Sequence, residues 1–234
     1  MTLFISHLHH DLRAARLTRR GSTHRAEDVP VGQHKSYPRF EKIRLPAPET
    51  LDATLADILT QRVSYLNGSE ASSISLQQWG TFFGLALGKR KQSGNRNYPS
   101  GGALYPIETY LISSAVPGHD TSVFHYNPSE HALEKLWALP HTIALKDLVQ
   151  QEKLLYSSLI VLTSMWKRSS AKYGDFAYTV GMLEAGHMSE NMLLVATALD
   201  LHARPMAGFA DAALLSALDI SPEDEQPVHT ITLY

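Results

Sequence analysis

Apolar positions along the chain recur with two different periods, and the change from one to the other outlines the elements. Between Glu49 and Arg62, Leu51, Leu55, Ile58 and Leu59 fall on one side of a 3.6-residue repeat with acids in the first turn, which predicts a helix. Ser75 followed by Leu76-Gln77-Gln78-Trp79 opens a second helix: Ser75 is an N-cap, Gln78 three residues on completes a capping box, and Gly88 ends the run. Ile107 to Ser113, Leu159 to Trp166 and His229 to Tyr234 are rich in β-branched and aromatic residues and predict strands. A shorter strand, Ser122 to Tyr126, precedes the Asn127-Pro128 turn. Asp175 to Leu199 is the longest helical run, and a further helix at 210–218 precedes the loop at Pro222. Helices and strands mix without a regular β-α-β rhythm, so the expected class is α+β.

The first 45 residues differ from the rest. They carry nine Lys and Arg against four Asp and Glu, show little sustained periodicity, and close on a stretch with prolines at 38, 46 and 48. This reads either as a basic arm lying on another surface or as a mobile tail, followed by one domain over 46–234. The full chain has 234 residues, 44% hydrophobic and 19% charged, enough apolar content for a real core. Its formal net charge of −2 argues against a nucleic-acid partner, and no apolar run is long enough to span a membrane. There are no cysteines, which removes disulfides, thiol nucleophiles and thiolate metal sites. The N-terminus lacks the order of a secretory signal, so a soluble cytoplasmic protein is expected.

Four segments carry candidate chemistry. Arg62 and Ser64 flank Val63 at the end of the first helix; a guanidinium and a hydroxyl at that spacing can share one phosphate, yet an Arg there also offsets the helix dipole, and spacing alone favours the second reading. In Asn95-Arg96-Asn97-Tyr98-Pro99-Ser100-Gly101-Gly102-Ala103-Leu104-Tyr105-Pro106-Ile107-Glu108, two glycines beside a serine let backbone N–H groups approach a flat or anionic ligand. No Gly-Lys-Ser/Thr follows, so this is not a nucleotide P-loop. Lys172-Tyr173-Gly174-Asp175 leads into the long helix, within which Glu184, His187 and Asn191 form a polar stripe. That stripe suggests a buried hydrogen-bonded row or a subunit interface. Arg204-Pro205-Met206-Ala207-Gly208-Phe209, in isolation, is a loop. The twelve histidines, including the cluster His7, His9 and His10, show no metal-ligand spacing, and no metal is expected.

Taken together, these segments resemble the nitroreductase-like flavoprotein superfamily. More closely they resemble its SagB/McbC-type branch, the azoline dehydrogenases of thiazole/oxazole-modified peptide biosynthesis. The loop from Tyr98 to Glu108 is similar to the branch signature, and the Val123–Glu134, Lys172–Asp175 and Met182–Asn191 blocks match it in order. Pro205 to Phe209 resembles the superfamily's Pro-x-x-Gly-Phe element. The likeness spans roughly residues 36–234. Longer relatives have an extra N-terminal region, here reduced to the arm, and the final strand stops without the Lys or Arg that some nitroreductases place on the cofactor phosphate.

The resemblance implies a nitroreductase-like fold, with a mostly antiparallel sheet flanked by helices, in a homodimer with a long interface helix and FMN between the subunits. Arg62 and Ser64 match the phosphate-binding pair, Pro99, Ser100, Gly101, Gly102 and Ala103 the loop along the flavin, and Ala207 and Gly208 the backbone donors near flavin N5. Lys172 and Tyr173 match the pair that removes the α-proton while a thiazoline or oxazoline ring is oxidised. Their free pKa values near 10 would have to be lowered by burial or mutual hydrogen bonding. The implied partners are a YcaO-type cyclodehydratase, an E1-like leader-binding protein and the precursor peptide, with the basic arm as a docking contact. Two other functions fit the same scaffold: an NAD(P)H-dependent nitroreductase or quinone reductase, and a flavin-bearing structural subunit.

Overall fold

A computed structural model describes residues 34–65, 73–151 and 154–234; the arm as far as residue 33, with its histidine cluster, lies outside the described residues. Seven strands form one antiparallel sheet: β1 (Glu41–Arg44), β2 (Ile107–Ser113), β3 (Ser122–Asn127), β4 (Ala132–Ala138), β5 (Ser158–Ser164), β6 (Ala203–Met206) and β7 (Gln226–Leu233). Their order is β1-β4-β3-β2-β5-β7-β6. Among the described residues five α-helices accompany them: α1 (Leu55–Gln61), α2 (Leu76–Leu87), α3 (Lys167–Tyr173), α4 (Phe176–Ala198) and α5 (Asp211–Leu218). The class is α+β, as the pattern predicts.

Both faces of the sheet are covered, which is why its central strands are apolar in nearly every position. On β5, Ile160 and Leu162 face a core containing Trp79, Phe82 and Phe83 of α2 and Met188 and Met192 of α4. Leu159 and Val161 face the opposite core, which includes Leu214 and Leu218 of α5. The two-residue alternation therefore sorts one strand into two hydrophobic layers.

Local signals fix several boundaries. Ser75 accepts the Gln78 N–H and the Gln78 side chain accepts the Ser75 N–H, the reciprocal cap expected for α2. Gly88 ends that helix by donating its N–H to the Gly84 carbonyl, and the side-chain amides of Asn97 and Asn191 also bind the last-turn carbonyls of Gly84, Leu85 and Ala86. The first helix is shorter than its apolar period suggests: Thr54 caps it through the Asp57 N–H, and Glu49 instead donates its N–H to Thr81. No residue of α1 is buried. Leu55 is 65% exposed and Leu59 55% exposed, so the apolar face predicted there exists, and no described residue covers it.

Three other elements depart from the sequence reading. The segment Arg204–Phe209 is not a loop throughout: its first half is the edge strand β6, where Pro205 is tolerated. The strand expected to reach Trp166 ends at Ser164, because α3 begins at Lys167. Lys172 and Tyr173 therefore close a short helix of their own, and Gly174, with φ of 52°, separates it from α4.

Candidate active site

The loop between α2 and β2 is held in an unusual backbone shape. Gly102, Ala103 and Tyr105 have φ of 64°, 54° and 48°, a left-handed region that side-chain-bearing residues rarely occupy. Closure comes from Ser100: its carbonyl accepts the Ala103 N–H at 3.1 Å, and its Oγ accepts the Tyr105 N–H at 3.0 Å. The Gly101 and Gly102 N–H groups take no part in these bonds. A Cβ on Gly101 would lie 2.3 Å from Val180 of α4, and one on Gly102 would lie 2.6 Å from Lys172 Nζ and 2.9 Å from Tyr173 Oη. A side chain at Gly101 would collide with Val180, and one at Gly102 would displace the Lys172 amine and sit at a strained φ. The amine and the phenol of the candidate pair thus flank one point on the loop, seventy residues away in sequence. Lys172 Nζ also lies 5.6 Å from the Tyr173 ring centre.

Two arginines support this arrangement. Arg96 is buried, donates to Tyr98 Oη at 2.9 Å, and sits 4.9 Å from the Tyr105 ring centre. Burial pushes the Tyr98 phenol well above its ordinary value, so it stays neutral. Arg168, one turn before Lys172 on α3, bonds to the Tyr105 carbonyl at 3.1 Å and to Glu108 Oε1 at 2.6 Å. It therefore ties the helix bearing Lys172 and Tyr173 to the loop. Sequence reading missed Arg168 because Lys167-Arg-Ser-Ser-Ala-Lys-Tyr173 has no apolar face to announce a helix.

Within the expected polar stripe of α4, the three residues separate. His187 is exposed, Asn191 is half-buried and Glu184 is 1% exposed. Ser100 hydrogen-bonds Glu184 Oε2, while Glu184 Oε1 has no hydrogen-bond partner among the described residues. Burial raises the carboxyl to about 7; the Ser100 hydroxyl, Arg96, the Ile107 N–H and Arg168 offset that only in part.

The other candidates gather elsewhere. Arg62 is half-buried at the C-terminal end of α1, and Ser64 is exposed two residues on. Tyr65 then stacks on His202 at 3.8 Å, donates its N–H to the Ala203 carbonyl and accepts from Arg204. Ala207 and Gly208 follow β6, with the Gly208 carbonyl bound to the Gln150 N–H. Arg62, Ser64, Ala207 and Gly208 thus belong to the β6 edge, whereas Pro99 to Ala103, Lys172 and Tyr173 belong to the start of α4. Val180 and Ala198 are separated by about 27 Å of helix, and Tyr65 is tied just past Ala198. One chain therefore presents Arg62 and Ser64 toward the opposite end of α4 from the glycine loop.

The residues fit a flavin in both halves. The two-glycine turn is a cradle that any side chain would fill, and the β6 edge combines a guanidinium with the unspent N–H groups of Ala207 and Gly208. Among the described residues, no group of three or more His, Asp or Glu side chains could hold a metal ion, and no helix is long and apolar enough to cross a membrane.

The nitroreductase family model matches residues 39–233. A putative nitroreductase of Methanocaldococcus jannaschii is 26% identical over 182 residues, covering 77% of this chain and 91% of that protein. The microcin B17-processing protein McbC of Escherichia coli is 29% identical over 145 residues, covering 58% of this chain and 53% of that protein, so the match spans about half of McbC. The E. coli microcin synthetase McbBCD complex, solved with truncated pro-MccB17 bound, shares the fold with a TM-score of 0.61 at 22% identity, covering 93% of this chain and 79% of that chain. A nitroreductase-fold protein of Desulfovibrio desulfuricans solved in complex with FMN also shares it, with a TM-score of 0.52 at 18% identity over 78% of this chain and 86% of that one. A seven-stranded antiparallel sheet with this loop, matched across 195 residues, places the chain in the nitroreductase family.

Proposed function

We propose that this oxidoreductase is an FMN-dependent azoline dehydrogenase, converting thiazoline or oxazoline rings in a ribosomally made peptide to thiazole or oxazole. The observation that carries the reading is the pair Lys172 and Tyr173 brought against Gly102 of the loop. Aromatising an azoline removes a proton from the α-carbon and a hydride from the ring methylene. FMN, when bound, supplies the hydride acceptor, and dioxygen restores it with formation of hydrogen peroxide. Lys172 takes the α-proton, Tyr173 orients the amine, and the glycine turn lets the ligand approach without a side chain in between. Arg62 and Ser64 hold the phosphate, and Ala207 and Gly208 direct N–H groups at the ring system.

The functional unit in this reading is a homodimer. Six of the eight exposed large apolar side chains among the described residues lie on or just after α1 and on α4: Leu55, Leu59, Val63, Tyr178, Met182 and Leu183. A face of that kind, on two helices packed together, fits a second copy. Antiparallel pairing of two α4 helices would bring the β6 edge of one protomer to the glycine loop of the other. The similarity to McbC supports a larger assembly with a YcaO-type cyclodehydratase and an E1-like leader-binding subunit.

The test supplies the purified protein, reconstituted with FMN, with a peptide carrying preformed azolines and follows its mass. A loss of 2 Da per ring without added nicotinamide is expected. Lys172→Ala should slow that loss by roughly 10²–10⁴-fold with FMN retained. No mass change, together with NADPH-dependent reduction of menadione, would instead identify a reductase.

A further inference from the structure

Glu184 has no part in the roles proposed above, yet it touches the loop that carries them. It is the one acid of the polar stripe that is fully buried, its Oε1 is unpartnered, and its other oxygen holds the residue that closes the glycine loop. Two turns further along α4, Asn191 donates to the Asn97 carbonyl at 3.3 Å. The chain from Asn97 to Ser100 thus runs alongside α4 in the opposite direction, tied at both ends by side chains of the helix. Beyond the second tie come three left-handed residues, of which Ala103 and Tyr105 carry side chains and keep that conformation only because their surroundings enforce it. The Ser100 hydroxyl does the enforcing through the Tyr105 N–H, and Glu184 fixes where that hydroxyl points.

We propose that Glu184 is a positioning residue for the cofactor loop: it accepts the Ser100 hydroxyl and holds the Gly101–Leu104 turn closed with its own Oε1 buried, an arrangement that a charge on the carboxyl opposes, so that closure, and with it the hold on FMN, weakens as pH rises. The proposal rests on the FMN reading above.

The direction follows from the surroundings. A closed loop buries the carboxyl; an open loop would hydrate it. The charged and titratable groups facing it are Arg96 and Tyr98 from the loop and Arg168 from α3, and on its own helix His187 one turn away is exposed. Neither arginine is bonded to it: Arg96 is spent on Tyr98, and Arg168 on Glu108 and Tyr105. An ionised Glu184 would therefore leave a buried oxygen without a donor. Its folded value of about 7 lies above the ordinary 4.5, so the closed, folded state binds the extra proton, and that contribution is lost as pH climbs from about 4.5 to above 7.

Glu184→Gln keeps an acceptor for Ser100 and removes the titration. Flavin fluorescence gives FMN affinity at pH 6 and 8.5, and thermal melts of the apo-protein are recorded from pH 5 to 8. The FMN phosphate itself titrates in this range, equally in both proteins, so the comparison isolates Glu184. The wild type is expected to lose affinity several-fold relative to Glu184→Gln between the two pH values. The apo-protein melting temperature of the variant should gain about 3 °C or more on the wild type across the range. Parallel pH profiles in both measurements overturn the proposal. A wild type that binds no FMN at any pH defeats the functional reading, while the apo-protein melts still decide the role of Glu184. Should the Gln variant fail to fold, Ser100→Ala takes its place: FMN affinity reduced several-fold at both pH values supports the proposal, and unchanged affinity overturns it.

Discussion

Two buried acids beside the glycine loop, Glu108 on β2 and Glu184 on α4, behave in opposite ways. Glu108, at 1% exposure, lies in a charge-balanced cluster: Oε2 meets His125 Nε2 at 3.0 Å, and Oε1 meets both Arg168 at 2.6 Å and the Lys35 N–H at 2.7 Å. The second nitrogen of His125 meets Glu134 at 2.9 Å, while Lys35 Nζ lies 2.6 Å from Glu225. Burial opposes ionisation of Glu108, but the bonds from His125 and the charge of Arg168 prevail and pull its carboxyl down to about 2. Glu184 is as deeply buried yet is met only by the Ser100 hydroxyl and the Ile107 N–H, with no cation bonded to it, and it rises to about 7. Burial alone therefore decides nothing; the number and charge of the donors do. The complete cluster anchors α3 and the described end of the arm, and the incomplete site keeps a carboxyl able to change charge near neutrality.

The largest effect should come from breaking the complete cluster. His125→Leu removes the cation between Glu108 and Glu134 and is expected to cost about 3–5 kcal/mol in chemical denaturation. If the cluster were incidental, the loss would stay below about 1 kcal/mol. Gly102→Ala sharpens the contrast from the other side. A methyl at a left-handed residue, 2.6 Å from Lys172 Nζ, should cost on the order of 1–3 kcal/mol and weaken FMN binding, as calorimetric melts and flavin titration would read out.

The smallest effect is one of pH. Glu108 is lowered from 4.5, so its stabilisation is complete above that value and lost as pH falls toward 2. Burial works against charge on His125, but its two carboxylate partners raise it above 6.5, so its contribution is complete below 6.5 and lost as pH rises through the raised value. The stability gap between wild type and His125→Leu should therefore be widest between about pH 4.5 and 6.5, in denaturant titrations across that range. A gap independent of pH would mean that His125 carries no charge.

How much of this was legible in the sequence follows from the range of the forces involved. The capping box at Ser75, the apolar strands at 107–113 and 158–164 and the long helix announce themselves through neighbours a few residues apart. β4 does not: Ala132–Ala138 carries Glu134 and Lys135, and Glu134 is tolerable in a buried strand only because His125 and Asn127 face it from β3. β1 is four residues with one apolar side chain, an edge strand defined by its pairing with β4. In the site, the glycine pair is visible in the sequence, but its closeness to Lys172 and Tyr173 depends on α3 folding back over the loop. Resemblance to a family singled those residues out; their spacing did not. The exposed face of α1 was legible as an apolar stripe, although nothing in the sequence says that no described residue covers it.

The central claim is that the β6 edge and the glycine loop form one site only across two protomers, and subunit complementation tests it directly. Arg62→Ala should hold FMN weakly, losing a charge-assisted bond of about 1.5–3 kcal/mol, and Lys172→Ala should hold FMN but oxidise azolines slowly. In a mixed dimer of the two variants, a shared site would combine an intact Arg62 from one chain with an intact Lys172 from the other. Co-expressed with two different tags and purified as the mixed species, such a dimer is predicted to recover a substantial part of the wild-type rate, measured as 2 Da lost per ring. A mixed dimer no faster than either variant alone would contradict the account and place both halves of each site within a single chain.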